Sequence, residues 1–146
     1  AVHNSRRIIL VLNGLKSKRD RSHESERMIN WAFQEFNNYQ VFKSGDTVSN
    51  AHVWLGTQAT VPLIVHQDIL ITLPRRSRKD MKVKVRYEEP IPAPVVKGAK
   101  LAELVVSAPN EDDMVFSLVA GNDVAALGLL GRLGAAINFL IWGKSD

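Results

Sequence analysis

The apolar residues near the amino terminus form one continuous run and then one helical stripe. Residues 8–12, Ile-Ile-Leu-Val-Leu, have no polar member and lie between two arginines and an Asn-Gly pair. A run without alternation is typical of a strand that is buried on both faces of a sheet. Ser22 then begins a pattern with helical spacing that continues to about Phe36, which predicts an amphipathic helix that ends at the Asn-Asn pair of 37–38.

Residues 38–120 instead alternate between short apolar segments and turn residues. The turn signals are clusters of Gly, Pro, Asn and Asp, such as those at 44–46 and 109–110. Short strands at this spacing predict a small antiparallel β-sandwich or barrel. The predicted strands are Tyr39–Lys43, His52–Leu55, Val61–Val65, Ile69–Leu73, Lys82–Tyr87, Val95–Val96, Lys100–Val106 and Met114–Val119.

The longest apolar stretch comes last, from Val124 to Trp142, with a single formal charge. On a helix its small and polar residues would share one side and its bulky residues the other, which predicts an amphipathic helix over residues 121–146 with Asn122 or Asp123 as N-cap. Such a helix suits an interfacial membrane anchor, although a membrane-spanning helix and a helix buried in a protein core or oligomer interface also fit. The residues that we expect to contact lipid are Leu127, Leu130, Leu133, Ile137, Phe139, Leu140, Ile141 and Trp142.

These patterns divide the chain into residues 1–37, 38–120 and 121–146. One strand and one helix cannot bury enough surface to fold alone, so the first segment predicts the end of a larger α/β domain. The chain begins without methionine or a signal-peptide pattern, and we expect Ala1 to be an internal start. The strand at 7–13 should therefore pair with a segment outside this sequence or with a copy of itself.

The chain is basic, with a formal net charge of +4 and a sequence pI near 9.6. This charge favours an anionic partner such as a membrane surface, an acidic polymer or nucleic acid. A strand over the most basic segment would place Lys82, Lys84 and Arg86 on one face. A solvated strand face explains such a cluster, and weak contact with an anionic surface is the functional alternative. Its members are Arg75, Arg76, Arg78, Lys79, Lys82, Lys84 and Arg86.

No cofactor or metal is expected from the residue types present. Cysteine is absent, which excludes a disulfide framework and a thiolate zinc site. The four histidines lie on separate segments without the spacing of metal ligands, and no glycine-rich phosphate loop occurs.

Several segments resemble the low-molecular-weight penicillin-binding proteins, which are serine D-alanyl-D-alanine carboxypeptidases. Residues 21–33, Arg-Ser-His-Glu-Ser-Glu-Arg-Met-Ile-Asn-Trp-Ala-Phe, are similar to the last helix of that family's catalytic domain. The family pattern there is Arg-x-x-Glu-Ser followed by Trp-Gly-Phe, and Ala32 replaces its glycine. Further similar segments are residues 7–14 (the preceding strand), 43–46 (the first turn of the second domain), 71–75 (Thr-x-Pro-Arg) and 79–82 (Lys-Asp-Leu-Lys).

The resemblance implies an α+β chain: the last strand and helix of a β-lactamase-like α/β catalytic domain, a small antiparallel β-sandwich domain and a C-terminal amphipathic helix. It implies a parent enzyme that removes the terminal D-alanine of peptidoglycan peptides through a serine acyl-enzyme, the step that penicillins trap. The family's Ser-x-x-Lys and Ser-x-Asn motifs are absent, and its Lys-Thr-Gly strand would lie before Ala1. We therefore expect a stalk and membrane anchor without the catalytic serine.

The expected location is the periplasmic face of the bacterial cytoplasmic membrane, with the tail helix on the phospholipid surface. The other expected partners are the catalytic domain, or another chain that pairs with residues 7–13, and peptidoglycan for the parent enzyme. A membrane-associated β-rich adaptor or assembly protein is the alternative, but it leaves the apolar run at 8–12 unexplained. A nucleic-acid-binding module comes third, because aromatic residues for base stacking are not interleaved with the basic ones, and no nucleic-acid partner is expected.

Overall fold

The computed structural model describes residues 1–129, 131 and 133, which form a hairpin, one long helix and a β-rich unit. The elements in chain order are β1 (Val2–His3), β2 (Arg6–Arg7), α1 (Lys18–Glu35), β3 (Phe36–Phe42), β4 (Thr47–Trp54), β5 (Thr60–Val65), β6 (Ile69–Pro74), a 3₁₀-helix (Arg75–Asp80), β7 (Lys82–Arg86), β8 (Ile91–Pro92), β9 (Lys100–Ser107) and β10 (Met114–Ala120).

The β-rich unit consists of a six-stranded sheet and a two-stranded sheet. The strand order of the larger sheet is β7-β9-β10-β5-β4-β8, and every pairing is antiparallel except the short parallel contact between β4 and β8. The smaller sheet pairs β3 with β6, also antiparallel. Buried residues of both sheets belong to a single hydrophobic cluster, so the sequence-based prediction of a β-rich unit with antiparallel sheets is confirmed.

The core follows from strict alternation of side chains along the strands. In β9, Ala102, Leu104 and Val106 are buried while the residues between them are partly exposed. Leu63 of β5 and Leu118 of β10 are fully buried beside them. Since successive side chains of a strand point to opposite faces, one face of the large sheet is apolar and the other faces outward.

Seven of the eight predicted strands are present, with bounds that differ by a few residues. The exception is the segment of Val95 and Val96, where an isolated bridge joins Val95 to Val124. Turn residues predicted these boundaries well, and Gly45 is an example. Its φ of 89° is a backbone conformation that other residues rarely adopt.

The prediction for the helix start was wrong by about one turn. Helix α1 begins at Lys18, and the Ser17 hydroxyl accepts a hydrogen bond from the Asp20 amide at 3.1 Å as its N-cap. Ser22 therefore lies inside the helix. Phe36 is both the C-cap of α1 and the first residue of β3, so the Asn-Asn pair at 37–38 belongs to a strand.

The expected strand over residues 8–12 is not present. No strand of the described residues pairs with this segment, and Ile9 and Val11 are 74% and 86% exposed. Two hydrogen bonds extend the hairpin of β1 and β2: the Ile8 amide donates to the Ala1 carbonyl, and the N-terminal ammonium of Ala1 donates to the Ile8 carbonyl, each at 2.9 Å. A strand needs a neighbour for its backbone groups, and within residues 1–129 no strand pairs with residues 9–12.

Candidate functional surfaces

Residues 121–127, here called the exit segment, lie against the β-rich unit at the point where the chain leaves it. Val124 is 1% exposed and exchanges backbone hydrogen bonds of 2.8 and 2.9 Å with Val95. The Leu127 amide donates to the Leu55 carbonyl at 2.7 Å, and the Thr57 amide donates to the carbonyl of residue 125 at 2.8 Å. The exit segment is therefore fixed to two separate parts of the unit.

This geometry corrects the predicted start of the C-terminal helix. Asn122 and Asp123 do not cap a helix, because the Asp123 carboxylate accepts from the Lys97 amide at 2.7 Å and the Asn122 side chain donates to Gln58 at 3.1 Å. Helical backbone begins at Leu129. Asn and Asp are also typical of turns, and their partners here are distant in sequence, so local pattern alone favoured the wrong element.

Two of the predicted lipid-contacting residues lie in the part of the chain that the structure describes. Leu127 belongs to the extended exit segment, whereas Leu133 has helical backbone and is 60% exposed. Among the described residues, no helix has the length and apolar character that crossing a membrane requires. The other predicted contacts lie outside the described residues: Leu130, Ile137, Phe139, Leu140, Ile141 and Trp142.

The basic cluster is divided between the 3₁₀-helix and the edge strand β7. Lys82, Lys84 and Arg86 share the outward face of β7, where they pair in register with Ser107, Val105 and Glu103. The Arg86 guanidinium lies 2.6 Å from the Glu103 carboxylate. Hydrogen bonds from Arg86 and then from Lys100 hold the pKa of the Glu103 carboxyl below its usual value.

The arginines of the 3₁₀-helix are engaged within the fold. Arg76 lies 3.5 Å from Glu35, and the Arg78 guanidinium stacks 4.9 Å from the centre of the Tyr39 ring. Within residues 1–129, no carboxylate forms an ion pair with Lys79, Lys82 or Lys84. The three lysines of the cluster therefore carry charges that no described carboxylate neutralises.

Arg6 closes the carboxyl end of α1, an arrangement that sequence analysis missed. Its guanidinium donates to the carbonyls of Phe33 at 2.8 Å and Phe36, and it stacks 4.9 Å from the Phe33 ring. The last carbonyls of a helix lack intrahelical partners, and a cation there is also favoured by the helix dipole. No local signal reveals such a contact, because Arg6 lies 27 residues before Phe33.

A polar cavity of about 550 Å³ lies beside this contact, between the hairpin and the end of α1. Its described lining includes the guanidiniums of Arg6 and Arg75, the His3 imidazole and four carboxamides, and no carboxylate. The cavity is open to solvent at the junction of the hairpin, the helix and the 3₁₀-helix.

Helix α1 leaves its apolar side incompletely covered. None of its 18 residues is buried, although its sequence carries the apolar positions of an amphipathic helix. Trp31 is 50% exposed and packs edge-to-face on Phe36 at 5.5 Å. Trp31, Ile9 and Val11 are thus large apolar side chains that the described fold leaves exposed.

The titratable side chains of the described residues are dispersed over the fold. Within residues 1–129, 131 and 133, no group of three or more histidine and acidic side chains is placed to hold a metal ion. His3, His23 and His52 lie in β1, α1 and β4, and His66 lies in the bend after β5. The candidate contact surfaces are the basic outward face of β7, the exposed side of α1, the cavity beside Arg6 and the exit segment.

Comparison with known proteins identifies relatives along almost the whole chain. The family model described as "Penicillin-binding protein 5, C-terminal domain" matches residues 36–126. D-alanyl-D-alanine carboxypeptidase DacA of Haemophilus influenzae is 31% identical over 133 residues, which are 89% of this chain and 33% of that protein. DacD of Salmonella typhimurium is 27% identical over 91% of this chain and 34% of its own length.

Solved structures show the same fold. Penicillin-binding protein 5 of Haemophilus influenzae superposes with a TM-score of 0.67 at 24% identity, over 75% of this chain and 32% of that one. A peptidoglycan synthesis regulatory factor (PBP3) of Streptococcus pneumoniae superposes with a TM-score of 0.65 at 19% identity, over 78% of this chain and 35% of that one. The chain thus spans about a third of the length of the relatives that it matches.

Proposed function

Because this chain belongs to the family of the penicillin-binding protein 5 C-terminal domain, we propose that it is the non-catalytic part of a D-alanyl-D-alanine carboxypeptidase. In this role it holds a catalytic domain at the periplasmic face of the cytoplasmic membrane, where the parent enzyme trims peptidoglycan peptides. The relatives carry the name of that activity, and this chain matches about a third of their length. The family match over residues 36–126 is the observation that carries the proposal.

The catalytic step belongs to residues that this sequence does not contain. A serine peptidase of this class needs a nucleophile with a lysine base three residues later, and no serine here has that neighbour. The proposed contribution of this chain is therefore mechanical: it sets the distance and the orientation of the active site relative to the membrane.

The exposed side of α1 supports a contact with the catalytic domain. Helix α1 has no buried residue, and the apolar segment at 8–12 is partly exposed. Both gain stability when a larger domain covers them. We place the catalytic domain against α1 and residues 8–12, and the membrane at the opposite terminus of the sequence, where the apolar stretch from Val124 to Trp142 begins.

Labelled penicillin tests the catalytic part of the proposal. The chain of residues 1–146 should remain unlabelled, whereas a longer natural protein that includes the serine motifs should form a stable acyl-enzyme. Labelling of the isolated chain would contradict the assignment, as would an unreactive longer protein.

Vesicle flotation tests the membrane part independently. The whole chain should float with vesicles that contain phosphatidylglycerol, and a matched chain that ends at Leu127 should stay in the dense fraction. Equal behaviour of the two chains would show that the tail does not bind lipid, while leaving the penicillin result unaffected.

A further inference from the structure

Trp54 is an exposed aromatic residue at the end of β4. The strand alternates, with Ala51 and Val53 buried while Trp54 is 59% exposed on the outward face of the large sheet. An aromatic ring in water loses the stabilisation that burial would give, so a position of this kind suits a contact with another surface.

The exit segment docks immediately beside this residue. Leu55, the next residue after Trp54, accepts the hydrogen bond from the Leu127 amide, and Gly56 forms an isolated bridge with Ala126. The backbone of the last residue before the tail is therefore fixed next to the tryptophan, and Leu129 follows with 82% exposure.

The other end of the exit segment also lies beside an exposed apolar residue. Val124 pairs with Val95, and Val96, the next residue, is 65% exposed. Three residue steps separate Val124 from Leu127, a distance of about 10 Å in an extended chain. We call Trp54, Val96 and the exposed Lys97 the exit face.

Close packing sets the orientation of the exit segment relative to this face. A Cβ on Gly56 would lie 2.8 Å from Val124 Cγ1, and a Cβ on Gly121 would lie 2.9 Å from Pro62 Cγ. Neither glycine has room for a side chain, so the segment packs closely on the β-rich unit at both places. A surface that binds the tail would therefore also lie close to the exit face.

We infer that the exit face contacts the phospholipid surface on which the tail lies, with Trp54 at the headgroup level. The inference rests on the proposed membrane role of the tail and adds a second, folded contact to it. Tryptophan favours the interface between headgroups and acyl chains, Val96 adds apolar area, and Lys97 can reach lipid phosphates. The neighbouring Asp123 carboxylate accepts the Lys97 amide hydrogen bond.

The three tryptophans of the chain allow a direct test, since each reports on a different claim. Variants that keep one tryptophan and carry Phe at the other two positions are mixed with vesicles of phosphatidylglycerol and phosphatidylcholine brominated on the acyl chains. Bromine quenches only rings that reach the lipid. Trp142 reports on the tail, Trp54 on the exit face and Trp31, with similar exposure of 50%, serves as the matched control on α1.

We expect quenching of the Trp54 and Trp142 variants and none of the Trp31 variant. Quenching of Trp142 without Trp54 would overturn the exit-face contact and leave the proposed tail anchor intact. Absence of quenching at both positions would reject the tail anchor and the exit-face contact together. Equal quenching of Trp31 and Trp54 would also overturn the inference, because it would indicate adsorption without a preferred face.

Flotation of the whole chain provides a second readout. Trp54→Ser should weaken partition into the same vesicles without bromine by about tenfold, the effect of removing one interfacial aromatic ring. Trp31→Ser should leave partition unchanged. Unchanged partition of the Trp54 variant, with its circular dichroism spectrum intact, would contradict the inference.

Discussion

Val124 occupies the space that a side chain on Gly56 would need: a Cβ there would lie 2.8 Å from Val124 Cγ1 and 2.7 Å from Val53 Cγ1. Gly56 is thus the residue that permits the exit segment to dock on the end of β4. The closeness of this contact makes the docked segment sensitive to a single methyl group.

Gly56→Ala should lower the free energy of unfolding by about 1–3 kcal/mol, the usual cost of overpacking a filled site. Protection of the Leu127 amide from hydrogen exchange should fall with it, because the same displacement separates that amide from Leu55. Urea unfolding and hydrogen exchange measure the two effects. Gly128→Ala is the matched control, since a Cβ at Gly128 meets nothing within 4 Å. Equal stability of both variants would refute this account.

Arg6→Gln should destabilise the end of α1. The substitution removes the charged donor from the carbonyls of Phe33 and Phe36 and the stacking on the Phe33 ring. A hydrogen bond from a charged group contributes about 1.5–3 kcal/mol, so we expect a loss of about 2 kcal/mol in chemical unfolding followed by helical circular dichroism. Arg7→Gln, at an exposed residue of the same hairpin, should have no measurable effect. The interpretation fails if the two variants are equally stable.

Leu104→Ala should be among the most destabilising core substitutions. Leu104 is 0% exposed in β9, between β7 and β10, and deletion of a buried leucine side chain costs about 2–5 kcal/mol. Leu70→Ala removes the same atoms from a side chain that is 57% exposed, and should change stability by about 0.5 kcal/mol or less. Denaturant midpoints distinguish the two, and a similar loss in both would contradict the assigned core.

Stability should depend on the ionisation of Glu103. Hydrogen bonds from Arg86 and Lys100 lower the pKa of this carboxyl in the folded state. The unfolded state therefore binds a proton more readily, so the contribution of Glu103 is present above its ordinary pKa and is lost as pH falls through the lowered one. The Glu103→Gln variant should show a weaker dependence of the urea midpoint on pH in that acidic range. Glu111→Gln should retain the dependence of the parent, and an unchanged slope in both would count against the mechanism.

The β-rich unit could be predicted from sequence because its signals are local. Alternation placed Ala102, Leu104 and Val106 on one face of β9, and turn residues marked its ends. Both features act within a few residues, so seven of the eight predicted strands were assigned before their pairing was known.

Contacts between distant parts of the chain could not be predicted in the same way. The pattern at 122–123 is equally suited to a helix cap and to a turn, and a hydrogen bond to Lys97, 26 residues away, decides between them. Likewise, residues 8–12 have the composition of a buried strand, but composition cannot supply the neighbouring strand that they lack within residues 1–129. The prediction that a catalytic domain provides that neighbour stays a prediction.

The passage from α1 into β3 contains no intervening residue, since Phe36 ends the helix and begins the strand. Arg6 ties the hairpin to the same turn. A rotation of the helix would therefore also displace β3, because no linker residue separates the two elements.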